Sequence, residues 1–285
     1  MQNVRVVITG VGTINAIAPN ADAFVTALQQ GRCGIGSLTV FDTTGLRTRT
    51  GGEVRAFAPQ ERIPPVYYGK RMSRADAMAM VATLEGLQDA GLLPLPDGLR
   101  ENTGVAIGGG AGGMLEGEAA YQRYLSGHAD TVRFSDFSAF CGASSADHMV
   151  SKLQLWGPKT TFMTACSSGA TAIGYARDLI RDRMATVMIA GGTEPLARTT
   201  YAAFNSLKAV DPEYCKPFDR NRQGMSLGEG AGMLILESLP HALERGATIY
   251  GEVLGYGVSC DAIHMTAPDP EASGAVRCKQ MALVD

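Results

Sequence analysis

Residues 159–192 read KTTFMTACSSGATAIGYARDLIRDRMATVMIAGG, and this stretch decides the fold. Lys159 to Ala165 is a short run with strand character. Ser167 to Arg183 places Ala172, Ile173, Ala176 and Ile180 on one side of a helix. Val187 to Ala190 is a second strand, closed by Gly191-Gly192. Strand, helix and strand in this order predict an α/β fold with a largely parallel sheet. Toward the C-terminus, Gly232 to Glu237 reads as a strand, Pro240 to Arg245 as a helix and Thr248 to Val258 as a strand. Toward the N-terminus, Ala146 to Leu155 is a helix that Trp156-Gly157-Pro158 breaks. Glu116 to Leu125 is an amphipathic helix, and Val105 to Ile107 is a strand entering a glycine cluster. Ser73 to Ala90 is a helix stopped by Gly91. Asn20 or Asp22 caps a helix running to about Gln30, where Gly31 ends it. Val4 to Ile8 opens the chain as a buried strand, with Thr9-Gly10-Val11-Gly12 as a tight turn. The stretch from about 34 to 72 is a loop-rich excursion.

The 285 residues are 45% hydrophobic and 19% charged, with a net charge of −3. That is an ordinary globular composition with ample material for a core. It excludes a strongly basic field for nucleic acid or anionic lipid. Cys33, Cys141, Cys166, Cys215, Cys260 and Cys278 form no C-x-x-C pair, so reduced thiols and a cytoplasmic location are expected. No apolar stretch is long enough to span a bilayer, and Arg5 interrupts any leader-like apolar run.

Thr164-Ala165-Cys166-Ser167-Ser168-Gly169 holds the candidate chemistry. A strand runs into Cys166 and a helix starts after it, the layout of a nucleophile elbow. A helix N-terminus offers unpaired N–H groups and partial positive charge, both favourable to a thiolate. Ser167 and Ser168 are positioned to cap. By local pattern alone, a small buried cysteine at a strand end is the commoner reading.

The motif around Cys166, preceded by Gly157-Pro158, closely resembles the nucleophile motif of β-ketoacyl-acyl-carrier-protein synthases. Other stretches agree in the same order. They are Val7-Ile8-Thr9-Gly10-Val11-Gly12, Ala190-Gly191-Gly192-Thr193-Glu194, and Lys216-Pro217-Phe218-Asp219 with Arg222, Gly224 and Gly228-Glu229-Gly230-Ala231-Gly232. Asp261-Ala262-Ile263-His264-Met265-Thr266 completes the set. The resemblance covers nearly the whole chain and is closest to stand-alone elongating synthases. It implies a thiolase-like fold, the layered α-β-α half of a five-layered α-β-α-β-α architecture. It also implies a decarboxylative Claisen condensation in fatty acid or polyketide synthesis. Cys166 would accept the acyl group from acyl carrier protein, and its own N–H would serve as an oxyanion donor. Ala111, His264 and Thr266 would contact substrate. No metal and no free cofactor is implied, since substrates ride on the phosphopantetheine of the carrier.

The family's two histidines, its lysine and its gating phenylalanine lie in a C-terminal half that is not among these residues. The expectation is therefore that residues 1–285 form one N-terminal domain, cut near 270–285, and that the chain alone does not condense. Its partners would be acyl carrier protein and a second subunit, in a homodimer or heterodimer, or a complementary C-terminal half. A non-catalytic thiolase-like subunit that binds acyl chains or dimerises with a competent partner remains an alternative. A cysteine hydrolase lacks a suitably placed histidine.

Weaker signals are set aside. Gly108, Gly110 and Gly113 satisfy G-x-G-x-x-G, but no acidic residue follows at the right distance for a dinucleotide site. Glu116 and Glu118 read as a solvated helix face, and His241 as a solvated or capping side chain. Phe134, Phe137 and Phe140 read as packing. Arg177, Arg181 and Arg183 are either a solvated face or a landing site for an acidic carrier.

Overall fold

Residues Thr103–Gly108 are buried at every position, which requires cover on both faces of the sheet that contains them. The computed structural model, which describes residues 4–264 and 267–285, shows how that cover is built. The strands are β1 (Val6–Asn15), β2 (Ile35–Ser37), β3 (Thr50–Gly52), β4 (Thr103–Gly108), β5 (Lys159–Phe162), β6 (Val187–Glu194), β7 (Gly230–Ser238) and β8 (Gly251–Glu252). The helices are α1 (Ala21–Gln29), α2 (Pro59–Arg62), α3 (Arg74–Asp89), α4 (Asp97–Arg100), α5 (Met114–Leu125), α6 (Ser135–Ser138), α7 (Ser144–Leu153), α8 (Ser168–Arg181), α9 (Arg198–Ser206), α10 (Leu239–Glu244) and α11 (Ser273–Val284). Among the described residues no helix is long and apolar enough to cross a membrane.

Six strands form one sheet in the order β5-β4-β6-β7-β1-β8, and β2 pairs with β3 in a small second sheet. Strand alternation sorts the core into two layers. Val105, Ile107, Val187, Ile189, Met233 and Ile235 face α3 and α7, against Met78, Met80, Leu84 and Met149. Ala106, Met188, Ala190 and Leu236 face α8, against Ala172, Ala176, Leu179 and Ile180. The result is α-β-α. Helix α3 is buried without interruption from Ala75 to Leu84, so it is a core helix rather than an amphipathic one. Its start is closed by a reciprocal capping box between Ser73 and Asp76.

The sheet is mixed, not largely parallel. β4 runs parallel to β5 and β6, whereas β6–β7, β7–β1 and β1–β8 are antiparallel. The cause is where the chain re-enters. After β6 it passes through α9 and a long loop, and starts β7 at Gly230, opposite the last residue of β6, Glu194. A strand starting beside its neighbour's end must run back along it.

Two more expectations change. The Thr9–Gly12 stretch is no turn, because β1 continues through it with a register shift against β7 between Ile8 and Gly10. A Cβ at Gly10 would fall on the Gly86 carbonyl oxygen, and one at Gly12 on that of Ala82. These glycines let α3 lie on the strand backbone. The strand expected over Thr248–Val258 reduces to Gly251–Glu252, paired with Val7 and Ile8. Beyond it the chain leaves the β1 edge to pack on α11, with Gly255 against Ala282 and Gly257 against Cys278.

Glu229 ties the irregular parts to this frame. Its side chain is fully buried and accepts two hydrogen bonds from Arg74, at 2.6 and 2.8 Å. It also accepts from the N–H of Val54 (2.8 Å) and of Leu196 (3.2 Å). One carboxylate thus joins the segment after β3, the start of α3 and the segment after β6. Removing one partner of a buried pair strands the other charge. Glu229→Ala is expected to lower unfolding stability by about 3–5 kcal/mol, measured by urea denaturation against the unsubstituted chain.

Candidate active site

The elbow is built by backbone geometry and one serine. β5 ends at Phe162 and a single 3-10 turn, Ala165–Ser167, leads into α8. Ala165 adopts φ +53°, a left-handed conformation that a residue with a Cβ holds only where its surroundings enforce it. The enforcement comes from Ser168, which is buried. Its hydroxyl accepts from the Thr164 N–H at 2.8 Å and donates to the Ala165 carbonyl at 2.7 Å. Cys166 sits on the turn with its side chain exposed, contrary to the buried structural cysteine that local pattern favours. Ser167 occupies the N-cap of α8 but makes no capping bond; its hydroxyl points back to the Thr164 carbonyl, to which it donates at 2.8 Å. The first N–H groups of α8 therefore have no side-chain acceptor beside the thiol.

Glycines set the floor beneath this turn. A Cβ at Gly108 would collide with the Ser168 carbonyl carbon and the Gly169 nitrogen, and one at Gly192 would lie 3.0 Å from the Gly108 carbonyl oxygen and 3.6 Å from the Gly169 Cα. The ends of β4 and β6 and the first turn of α8 thus meet backbone to backbone. The G-x-G-x-x-G segment is tied down in the same place. Glu194 accepts from the N–H of Gly110 at 2.7 Å and of Ala111 at 2.8 Å. The amides a phosphate would need are already bonded to a carboxylate.

Above the floor opens a cavity of about 940 Å³ whose wall includes Cys166, Ala111, Ile14, Ile17, Phe24, Thr200, Phe204 and Leu227. This wall is mostly apolar, suited to an aliphatic chain with a few polar groups at the reactive end. Cys166 and Ala111 are thus brought together. His264 is exposed and its Nδ1 accepts from the Ala267 N–H at 3.1 Å. It does not line the cavity. Thr266 lies outside the described residues. Sequence reasoning missed Thr200 and Phe204, because α9 carries no strong apolar pattern. Their spacing of four residues was the available signal.

Other candidates have structural tasks. Glu118 accepts from the N–H groups of Arg198 (3.0 Å) and Thr199 (2.6 Å), closing the start of α9. Glu116 accepts from the Arg74 N–H at 2.7 Å while its Oε2 is buried without a hydrogen-bond partner, and burial raises its carboxyl above the ordinary value. Neither is solvated as expected. His241 is no solvated side chain, since its Nδ1 lies 2.6 Å from the buried Glu237. Burial pushes Glu237 up, but hydrogen bonds from Arg245 and Thr9 hold it below its ordinary value. Arg177 and Arg181 bind Asp285, whose carboxyl they hold well below its ordinary value. They are therefore neither a solvated face nor a landing site. Phe134, Phe137 and Phe140 are exposed rather than packed.

Known proteins agree with this geometry. The family described as "Beta-ketoacyl synthase, N-terminal domain" matches residues 3–242. The chain is 37% identical to a 3-oxoacyl-[acyl-carrier-protein] synthase 2 of Synechocystis sp., over 100% of this chain and 70% of that protein. It is 34% identical to a synthase of the same name from Staphylococcus aureus, with the same two coverages. Among solved structures it is similar to the ishigamide ketosynthase/chain length factor, with a TM-score of 0.90, 34% identity, and coverage of 99% of this chain and 70% of that one. It is also similar to a chain in the structure described as a type II PKS acyl-carrier protein in complex with its ketosynthase bound to the hexaketide, with a TM-score of 0.86, 30% identity, and coverage of 100% of this chain and 70% of that one. The layered fold is the thiolase-like fold of ketosynthases.

Gly108→Ala places a methyl group against the first turn of α8 and is expected to displace Cys166. The check is the rate of Cys166 alkylation, which should fall well below that of the exposed Cys33 in the same sample, measured by peptide mass spectrometry.

Proposed function

We propose that this chain, which belongs to the β-ketoacyl synthase family, takes an acyl group from acyl carrier protein onto Cys166. Cys166 passes its proton to water, and its Sγ attacks the carbonyl of the acyl-phosphopantetheine thioester. A bond forms between Cys166 Sγ and the acyl carbon, the bond to the pantetheine sulfur breaks, and the pantetheine leaves as a thiolate that takes a proton back from water. The Cys166 N–H and the positive end of α8 would stabilise the negative charge that grows on the carbonyl oxygen. The observation that carries this reading is the exposed Cys166 at an uncapped helix start on the floor of a largely apolar cavity. Ala111 would lie along the acyl chain. His264 and Thr266 would belong to the approach of the pantetheine.

Condensation with malonyl-carrier protein is the second half of the family's reaction. Among the described residues no histidine lines the cavity, so we assign decarboxylation to groups outside it and expect no condensation from these 285 residues alone. The same observation favours a second reading, an acyl-binding subunit that leaves catalysis to a partner. Intact mass of the folded chain after exposure to acyl-carrier protein separates the two. A gain equal to the acyl group, absent in Cys166→Ala, is expected. No gain in the folded chain would sink acyl transfer and leave the binding subunit.

Two surfaces support the partners. β5 is an outer strand of the sheet, with exposed Trp156 shortly before it and exposed Met163 directly after it in the chain. An open edge next to exposed apolar side chains suits a second subunit, identical or related. Lys70, Arg71 and Arg133 line one exposed cleft together with Arg123, which is paired with Asp136 at 2.6 Å, and the remaining positive charge suits an acidic carrier. A Lys70→Glu/Arg71→Glu chain is expected to accept acyl groups from carrier protein about tenfold more slowly. Its rate with a small soluble acyl thioester should stay unchanged.

A further inference from the structure

An unbroken run of hydroxyls reaches from the nucleophile turn to a residue far away in sequence. Ser167 Oγ shares its one proton between the Thr164 carbonyl oxygen at 2.8 Å and Thr164 Oγ1 at 3.0 Å. Thr164 Oγ1 donates in turn to Thr171 Oγ1 at 3.4 Å. The same Thr171 oxygen accepts from the hydroxyl of Tyr256 at 3.1 Å. Two donors thus converge on Thr171, one from the elbow and one from the segment beyond β8.

Tyr256 is held on three sides. Its ring lies on Gly174 of α8, where an added Cβ would fall within the ring atoms. Its backbone N–H donates to the Asp285 carboxylate at 3.2 Å, and Arg177 and Arg181 fix that carboxylate. Its hydroxyl completes the set. A phenol immobilised in this way is a rigid prop, the kind of support a reactive group needs to stay in a productive orientation. The turn needs one, because Ala165 stands at φ +53° between Thr164 and Cys166. Ser168 restrains that turn from the buried side, and the hydroxyl run restrains it from the other.

We propose that Tyr256 and Thr171 are positioning residues for Cys166. Tyr256, seated on Gly174 and anchored by Asp285, holds Thr171, and Thr171 holds Thr164 and with it the turn that presents the thiol. Neither residue touches the reacting atoms. The biological consequence rests on the reading of Cys166 as the acyl acceptor, but the test reads the thiol itself.

The full chain is treated with dilute iodoacetamide, and the modification rate of each cysteine is followed by peptide mass spectrometry. Exposed Cys33, Cys141 and Cys260 serve as internal references. Tyr256→Phe and Thr171→Val are each expected to slow Cys166 about 2- to 10-fold, the rate equivalent of one lost hydrogen bond. The reference cysteines should not change, and the Tm should fall by no more than a few degrees. Thr171→Ser, which keeps the oxygen, should restore the rate. Gly174→Ala, which keeps every hydroxyl but unseats the ring, should match Tyr256→Phe. The proposal is overturned if Tyr256→Phe and Thr171→Val leave Cys166 at its original rate. It is equally overturned if Thr171→Ser fails to rescue, or if the reference cysteines change in step with Cys166. A chain that alkylates normally yet accepts no acyl group from carrier protein counts against acyl transfer alone.

Discussion

The first turn of α8 lies directly on the backbone of the sheet, with no side chain between them, and the site follows from that contact. Gly108 at the end of β4 touches Ser168 and Gly169, and Gly192 at the end of β6 approaches Gly169. A methyl group at Gly108 would lift the helix by more than a close-packed interior tolerates. Because the helix sits this low, the strand before it cannot enter by an ordinary turn. Ala165 takes a left-handed conformation, Ser168 turns inward to hold it, and Cys166 is left facing the cavity. The thiol's exposure, the uncapped helix start and the depth of the cavity are consequences of one steric arrangement.

A second theme is how the chain satisfies backbone groups that no strand or helix pairs. β8 covers β1 only at Val7 and Ile8. Further along that edge, Asp89 accepts from the Val11 N–H, and Glu85 accepts from those of Thr13 and Ala21. Glu194 does the same for Gly110 and Ala111, Glu118 for Arg198 and Thr199, and Glu229 for Val54 and Leu196. Charge-assisted bonds of this kind are stronger than neutral ones, so a few acidic side chains hold the irregular walls around the cavity. Glu229 therefore belongs to the frame of the site rather than to its chemistry, although it sits in the family's glycine-rich signature.

The sequence made the strand–turn–helix unit around Cys166 legible because its three parts are local there. The 159–192 stretch folds much as its periodicity implies, and Cys166 lies where strand gives way to helix. The glycines of β1 misled for a physical reason. Gly10 and Gly12 look like turn residues in one dimension, yet each marks a point where α3 presses on the strand. The acids misled in the same way, since Glu116 and Glu118 have the spacing of a solvated face and acquire their partners only when α3 and α9 arrive. Strand direction was equally hidden, because a long connection between β6 and β7 does not state at which end of the sheet it returns.

By itself, then, the sequence determined the family and the layered α/β class, and it singled out Cys166 as the candidate thiol, all by local pattern and motif. Tertiary structure alone decided that this thiol is exposed, that Phe204 and Thr200 share its cavity, and that Tyr256 supports it across 85 residues from Thr171. It also decided that Arg177 and Arg181 turn inward to Asp285. Residue type and spacing encode what a segment can form, whereas burial and hydrogen-bond partners depend on which segments meet. Contacts between residues far apart in the chain are settled only when the whole sheet and both helical layers close around them.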